Sequence, residues 1–205
     1  MEVHPLHTPC YCEENVCMLL NQLHDSHNVP WRDLAALFIT SHTRLTPVWR
    51  QAASQHANGL VLWDYHVVAL HRQREGDCLV WDMDSTLLLP CSWHAYRSAA
   101  LFPSEAEVAR FAPRVFRMVS GRALTSRFES DRSHMRSESG GWSAPPPPWP
   151  CFECAARGGG DPLTLEALLR VDADLGPGTK LLEQAASNQL PWEEVCGEAE
   201  ATLAE

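Results

Sequence analysis

Hydrophobic residues near the start of the chain recur with the spacing of an amphipathic helix. The pattern predicts a helix over residues 12–23, whose apolar face consists of Val16, Leu19, Leu20 and Leu23. Cys12 comes directly before this face and is followed by Glu13 and Glu14, which suit the first turn of a helix. We therefore expect Cys12 at a helix N-terminus.

Further apolar patterns predict a mixed α/β (α+β) domain with an antiparallel sheet packed by helices. Shorter helices are predicted over residues 31–39, 104–111 and 163–169, the last with Thr164 as its N-cap. Strands are predicted over residues 47–50, 60–70, 78–83 and 114–119.

The polar link over residues 71–77, with one glycine, predicts a hairpin between the two strongest strands. If its turn is centred on Arg74, His66 lies opposite Asp82 on the same face, with the two Cβ atoms roughly 5 Å apart. A register shifted by one residue would separate them. The simplest pairing thus predicts a contact between an imidazole and a carboxylate.

Cys12, His66 and Asp82 are the candidate catalytic residues. In a thiol enzyme the cysteine attacks, the histidine moves protons, and the carboxylate fixes the imidazole tautomer. A helix N-terminus favours a thiolate and offers backbone N–H groups to an oxyanion. Glu13 and Glu14 oppose the thiolate unless they point away or are paired, and Cys10 is the rival nucleophile.

The composition of the chain limits both its domain organisation and the classes of ligand that it is expected to bind. The chain has 205 residues, of which 45% are hydrophobic, so we expect one catalytic domain over residues 1–191 and a flexible acidic tail over residues 192–205. A net charge of −10 disfavours nucleic acid and suits a cationic ligand such as a free α-amino group. We find neither a membrane-spanning stretch nor a signal peptide, and expect the eight cysteines to be mostly reduced.

Residues 125–150 are polar and then proline-rich. The proline run is either a ligand for an SH3-type module or an ordered segment wrapped over the domain. Cys151 and Cys154 resemble half of a zinc site, but a second ligand pair does not follow at a suitable spacing.

Four segments together resemble the protein N-terminal glutamine amidohydrolase family. They are residues 11–15 (Tyr-Cys-Glu-Glu-Asn), 63–68 (Trp-Asp-Tyr-His-Val-Val), 131–135 (Asp-Arg-Ser-His-Met) and 145–150 (Pro-Pro-Pro-Pro-Trp-Pro). The resemblance implies a monomeric enzyme with a papain- or transglutaminase-like core. Position by position, it places the family's catalytic Cys, His and Asp on Cys12, His66 and Asp82.

The implied reaction removes ammonia from the side chain of an N-terminal Gln, leaves N-terminal Glu, and feeds the N-degron pathway of protein degradation. The implied partners are proteins or peptides with N-terminal Gln, in the cytoplasm and nucleus, without nucleic acid, membrane, metal or organic cofactor. Two alternatives remain open. A related cysteine peptidase or transglutaminase would use the same three residues, and a noncatalytic adaptor would use the proline run.

Recognition of a terminal Gln requires a group that binds its α-ammonium. Glu13, Asp64 and Asp84 are near the predicted site in sequence, although for Asp84 a role in a turn at a strand end is slightly favoured. His134 is either a residue of a substrate loop or a structural histidine.

Overall fold

A computed structural model describes residues 3–74, 77–137, 139–154, 161–172, 174–176, 179–182 and 190–197. The α-helices are α1 (Cys12–His27), α2 (Trp93–Tyr96), α3 (Glu105–Val108), α4 (Gly121–Arg127) and α5 (Leu165–Leu169). The strands are β1 (Leu34–Ser41), β2 (Thr46–Val48), β3 (Val61–Trp63), β4 (His66–Arg72), β5 (Cys78–Trp81), β6 (Cys91–Ser92), β7 (Arg114–Ser120), β8 (Phe128–Glu129), β9 (Leu163–Thr164) and β10 (Thr179–Leu182). Short 3₁₀ or π-helical segments lie at Trp31–Asp33, Arg97–Leu101, Ser133–Met135 and Glu193–Gly197.

The core of the fold is a six-stranded sheet in the order β10-β7-β1-β4-β5-β6. Every neighbouring pair in this sheet is antiparallel. Strands β2 and β3 form a small antiparallel sheet, and β8 pairs with β9 in parallel. The predicted class, a mixed α/β fold with an antiparallel sheet packed by helices, is confirmed.

Helices cover both faces of the large sheet. Helix α1 packs on one face through the predicted apolar stripe, which is fully or almost fully buried: Val16, Leu19, Leu20 and Leu23. Each such side chain contributes about 1.5–3 kcal/mol on burial. The opposite face is covered by α2 and the π-helical segment that follows it. Helix α1 is thereby held firmly against β4, which begins at His66.

The helix predicted over residues 31–39 is wrong. This segment is a short 3₁₀ turn followed by β1, which lies between β4 and β7. Every residue of β1 is buried, and alternate residues belong to the two opposite hydrophobic clusters. A central strand covered on both faces has a continuous apolar run, which periodicity alone does not distinguish from a buried helix.

The strand predicted over residues 60–70 is interrupted at Asp64 and Tyr65. Its first part, β3, pairs with β2 in the small sheet, and its second part, β4, joins the large one. The predicted hairpin register is also wrong by two residues, since Ala69 lies opposite Trp81 instead of Leu79. A shift of two residues preserves the sheet face of every side chain, whereas a shift of one would reverse it.

The predicted tail from residue 192 is described as far as residue 197. Trp192, Val195 and Cys196 are buried against the sheet face that α2 also covers. Residues 198–205 lie outside the described residues. Elsewhere the pattern predicted well: α3 lies within residues 104–111, β7 spans residues 114–119, and the Thr164 hydroxyl caps α5 by accepting from the Ala167 N–H.

Candidate active site

His66 and Asp82 are in direct contact at one end of the β4–β5 pair. His66 is the first residue of β4, and Asp82 directly follows the end of β5. The His66 Nε2 atom lies 2.9 Å from Asp82 Oδ1. The two residues are only 1% and 4% exposed, so this charge pair is shielded from water. The His66–Asp82 contact predicted from the sequence is therefore present, although the pairing of β4 with β5 differs by two residues from the predicted register.

Asp82 is held by three further hydrogen bonds. Its Oδ2 atom accepts from the Gln51 side-chain N–H at 2.9 Å and from the Tyr96 hydroxyl at 2.8 Å. Its Oδ1 atom also accepts from the backbone N–H of Asp84 at 3.0 Å. Sequence reasoning missed Gln51 and Tyr96. Gln51 lies between β2 and β3 and Tyr96 lies in α2, so neither local pattern signals a role.

A tryptophan ring that stacks on the face of the His66 imidazole also restricts its orientation. The Trp63 ring stacks on His66 with 5.6 Å between ring centroids and 12° between planes. Its indole N–H donates to Gln51 Oε1 at 3.1 Å. Gln51 therefore joins the ring that packs on the imidazole to the carboxylate that bonds it, and both restrict the orientation of His66.

The pKa values of the pair move in the directions expected for a buried ion pair. Burial alone lowers the pKa of His66, but the charge and hydrogen bond of Asp82, together with Asp84, outweigh it and raise the pKa above its usual value. Burial raises the pKa of Asp82, but His66, Gln51 and Tyr96 outweigh it and lower the pKa. The carboxylate thus stabilises the positive charge that forms on His66 when the imidazole takes up a proton.

Cys12 is the first residue of α1 and is half-buried. Its sulfur accepts a hydrogen bond from the backbone N–H of Val67, the residue after His66. Its S–H group also contacts Glu13 Oε2, at 3.6 Å. The thiol is therefore placed between the start of α1 and the start of β4.

Burial raises the pKa of the Cys12 thiol well above its usual value, and the charges of Glu13 and Asp84 raise it further. The helix N-terminus therefore does not by itself make a thiolate of the free protein. Cys10 lies in an exposed turn before α1 with a positive φ of 70° and also lines the cleft. Burial, Asp84 and Glu13 raise the pKa of its thiol too.

The two glutamates after Cys12 have different partners. Glu13 accepts a hydrogen bond from the Tyr65 hydroxyl at 2.9 Å, so its carboxylate stays beside the thiol. Glu14 is completely buried and is paired with Arg132 through two hydrogen bonds of 2.8 and 2.6 Å. Of the two charges that the sequence sets against a thiolate, that of Glu14 is neutralised by a cation, whereas among the described residues Glu13 has no ion-pair partner.

The other motif segments brace this region. Asp131 accepts from the backbone N–H and hydroxyl of Ser133, both at 2.8 Å, which is the local bracing that these residue types favour. The Trp149 indole N–H donates to Glu14 Oε2 at 2.8 Å, and the Tyr11 hydroxyl donates to the Ala144 carbonyl at 3.2 Å. The proline-rich segment is thus ordered and wrapped over the start of α1.

Cys12 and His66 line one cleft of about 290 Å³. The remaining lining residues are Cys10, Leu62, Trp63, Asp64, Tyr65, Asp84, His134 and Met135. Two carboxylates, Asp64 and Asp84, therefore face the same space as the thiol. Asp84 also contacts His7, with 2.9 Å between Oδ1 and Nε2.

Among the described residues, one group of three or more potential metal ligands lies close together, namely His66, Asp82 and Asp84, with ligand atoms within 4.8 Å of one another. Hydrogen bonds already engage His66 Nε2, Asp82 Oδ1 and Asp84 Oδ1. Cys151 and Cys154 belong to no such group in the described part of the chain. The local geometry is that of a histidine held by a carboxylate.

A half-buried thiol and a carboxylate-bound imidazole line the same cleft, and these are the groups that thiol-dependent acyl transfer uses. The chain belongs to the N-terminal glutamine amidase family, whose sequence pattern matches residues 7–188.

Within the described residues, the longest helix is too short and too polar to cross a membrane.

Three relatives, each named protein N-terminal glutamine amidohydrolase, indicate how far the similarity extends. The protein from Homo sapiens is 35% identical over 173 residues, which is 84% of this chain and 82% of the relative. The protein from Danio rerio is 36% identical over 148 residues, covering 72% of each chain. The protein from Arabidopsis thaliana is 42% identical over 147 residues, covering 70% of this chain and 66% of the relative.

Proposed function

We propose that this protein hydrolyses the side-chain amide of an N-terminal glutamine, giving N-terminal glutamate and ammonia. The observation that carries the proposal is the His66–Asp82 pair, buried at the edge of the cleft that Cys12 also lines. Family membership and the names of the relatives support the substrate. We assign Cys12 as nucleophile, His66 as proton carrier and Asp82 as the residue that orients His66.

In the first half of the reaction, Cys12 Sγ attacks the amide carbon of the substrate side chain. Since the thiol pKa is raised, its proton passes to His66 as the C–S bond forms. Asp82 engages His66 Nε2, so Nδ1 is the nitrogen that takes this proton. His66 then gives the proton to the departing nitrogen, the C–N bond breaks, and ammonia leaves a thioester on Cys12.

In the second half, water attacks the thioester carbon and His66 takes one of its protons. The C–S bond breaks, the sulfur recovers the proton, and the product is a glutamate side chain. Asp82 stabilises the imidazolium at each stage without accepting the proton itself.

The negative oxygen that forms in each half requires hydrogen-bond donors. We assign the backbone N–H of Cys12, because the first N–H groups of a helix have no partner within the helix. One such donor stabilises an oxyanion by about 3 kcal/mol. The Glu13 N–H is engaged by its own carboxylate, so it is a poorer candidate.

Several finer features of the proposal rest on the resemblance. They are a single catalytic domain with a papain- or transglutaminase-like core, a monomeric state, action in the cytoplasm and nucleus, and a product that enters N-degron degradation. The second candidate function, a related cysteine peptidase or transglutaminase, uses the same three residues and differs in which amide is attacked.

A paired-peptide experiment separates these functions. One peptide begins with Gln, and its partner carries the same Gln at an internal position. The proposal predicts ammonia release and the mass change of Gln-to-Glu conversion for the first peptide only, with the chain intact. Cleaved or cross-linked products would instead support the second candidate, and conversion of both peptides would exclude specificity for the N-terminus.

A further inference from the structure

We propose that Asp84 is the binding site for the α-ammonium group of the substrate, so that this carboxylate selects a terminal over an internal glutamine. The inference rests on the proposed function and adds the residue that recognises the N-terminus. A Gln side chain is short, so a cation recognised at its Cα must sit within a few ångströms of the reacting thiol. Three carboxylates are close to the proposed catalytic residues along the chain and are therefore candidates: Glu13, Asp64 and Asp84.

Glu13 is the nearest carboxylate to the thiol but is not available to a ligand. Its side chain is 3% exposed, and one oxygen already accepts from the Tyr65 hydroxyl and the Cys12 S–H. A substrate ammonium would have to displace both donors and enter a buried space. Glu13 does not line the cleft, whereas Asp84 does.

Asp64 also lines the cleft but differs from Glu13 in being exposed to solvent. It is shared with a neighbouring cavity that Arg44 and Glu129 also line. Its charge raises the pKa of Tyr65, whereas the leading charges that raise the pKa of the Cys12 thiol are those of Glu13 and Asp84. Because water screens an exposed carboxylate, Asp64 offers a cation a weaker site than the more buried Asp84.

Asp84 combines access with proximity. Its side chain is 15% exposed in the cleft, and an oxygen of its carboxylate lies within 4.8 Å of a ring nitrogen of His66. Its charge acts on Cys10, Cys12 and His66. The Oδ1 atom already binds a nitrogen of His7, which demonstrates that a nitrogen donor can reach it.

Binding at Asp84 would also change the chemistry. The Asp84 charge opposes ionisation of Cys12, so an ammonium placed against it removes part of that opposition. A substrate with a free N-terminus therefore makes the thiol more acidic when it binds. An internal glutamine lacks this cation, and the thiol it meets remains the less reactive form.

The test combines a protein variant with a substrate variant. The protein variant is Asp84→Asn, which keeps the backbone N–H that donates to Asp82. The substrate variant is the same Gln-initiated peptide with its α-amino group replaced by hydrogen. For wild type we expect kcat/KM to be about 10- to 100-fold higher with the amino group, the range for a hydrogen bond to a charged group. For Asp84→Asn we expect this ratio to fall close to one.

The matched control is Asp64→Asn, which removes the other carboxylate of the cleft and should keep the wild-type ratio. If Asp84→Asn slows both peptides equally, the residue is structural and the proposal is overturned. A ratio that stays at the wild-type value, or that is lost in Asp64→Asn, overturns it as well.

A binding measurement separates failure of this inference from failure of the proposed function. Calorimetry with Cys12→Ala compares the same two peptides without turnover. If wild type converts neither peptide but Cys12→Ala still prefers the amino form in an Asp84-dependent way, the proposed reaction fails and the Asp84 site stands. Loss of that preference in the binding measurement overturns the Asp84 site whatever the activity.

Discussion

Arg132 donates two hydrogen bonds to the completely buried carboxylate of Glu14, across 118 positions of sequence. Arg132 also donates to the Trp149 carbonyl, and the Trp149 indole N–H returns a bond to Glu14. One buried charge pair thus joins the first turn of α1 to the loop at residues 131–135 and to the proline-rich segment. The helix start that carries Cys12 is fixed by this arrangement.

We predict that Arg132→Met destabilises the protein by roughly 3–5 kcal/mol, because it leaves the Glu14 carboxylate buried without its cation. Urea unfolding measures the change. The control is Arg136→Met, which removes an exposed guanidinium of the same loop from above the Trp142 ring and should cost about 1 kcal/mol or less. Equal, small changes in both variants would mean that the Glu14–Arg132 pair is unimportant for stability.

Asp82→Asn should lower the pKa of His66. Its carboxylate charge is the largest contribution that raises this pKa, and the opposing effect of burial remains in the variant. NMR titration of the imidazole measures the shift, and kcat should fall by roughly 10³- to 10⁴-fold because the tautomer is no longer fixed. A His66 pKa that does not fall in the variant would show that Asp82 does not hold the imidazolium.

Gln51→Met should raise the pKa of Asp82, because the hydrogen bond from Gln51 helps to lower it. A carboxylate with a lowered folded-state pKa adds stability above its unfolded pKa and loses it as pH falls through the folded value. The variant should therefore unfold at a higher pH than wild type during acid titration. Its kcat should also fall while KM changes little, since Gln51 acts through Asp82 and Trp63. Gln55→Met, at an exposed site, is the control and should match wild type in both measurements.

Glu13→Gln should make the Cys12 thiol more acidic. After burial, the charge of Glu13 is the largest contribution that raises the thiol pKa. The rate of alkylation by iodoacetamide, measured across pH with mass spectrometry to locate the adduct, should show its midpoint at lower pH in the variant. The prediction fails if the midpoint for Cys12 stays in place or rises.

Local patterns in the sequence predicted single elements better than the arrangement of the strands. The stripe of α1 and the Thr164 cap follow from local spacing, and both are present. The residues of β1 were wrongly predicted as a helix, because a strand buried on both faces lacks the alternation that marks a half-exposed strand. The contacts of Gln51 and Tyr96 with Asp82 could not be predicted from the sequence for a different reason. These residues are distant from Asp82 along the chain, and only folding brings them into hydrogen-bonding contact.

The His66–Asp82 contact was anticipated with an incorrect register. Asp82 lies beyond the last paired residue of β5, and its side chain reaches back to the start of β4. The two-residue error kept both side chains on one sheet face, so the anticipated contact survived. The packing of Trp192, Val195 and Cys196 could not be predicted from the sequence, because three apolar residues in an acidic stretch do not define an apolar face.

The most direct test of the account measures ammonia release from a Gln-initiated peptide by wild type, Cys12→Ala and Cys10→Ala, each checked for folding by circular dichroism. Both thiols line the cleft, but only Cys12 begins α1 and receives the Val67 N–H. We predict that Cys10→Ala keeps most of the activity and that Cys12→Ala loses it by roughly 10⁴-fold or more. Activity that survives in folded Cys12→Ala, or disappears in folded Cys10→Ala, would contradict the assignment of Cys12 as nucleophile.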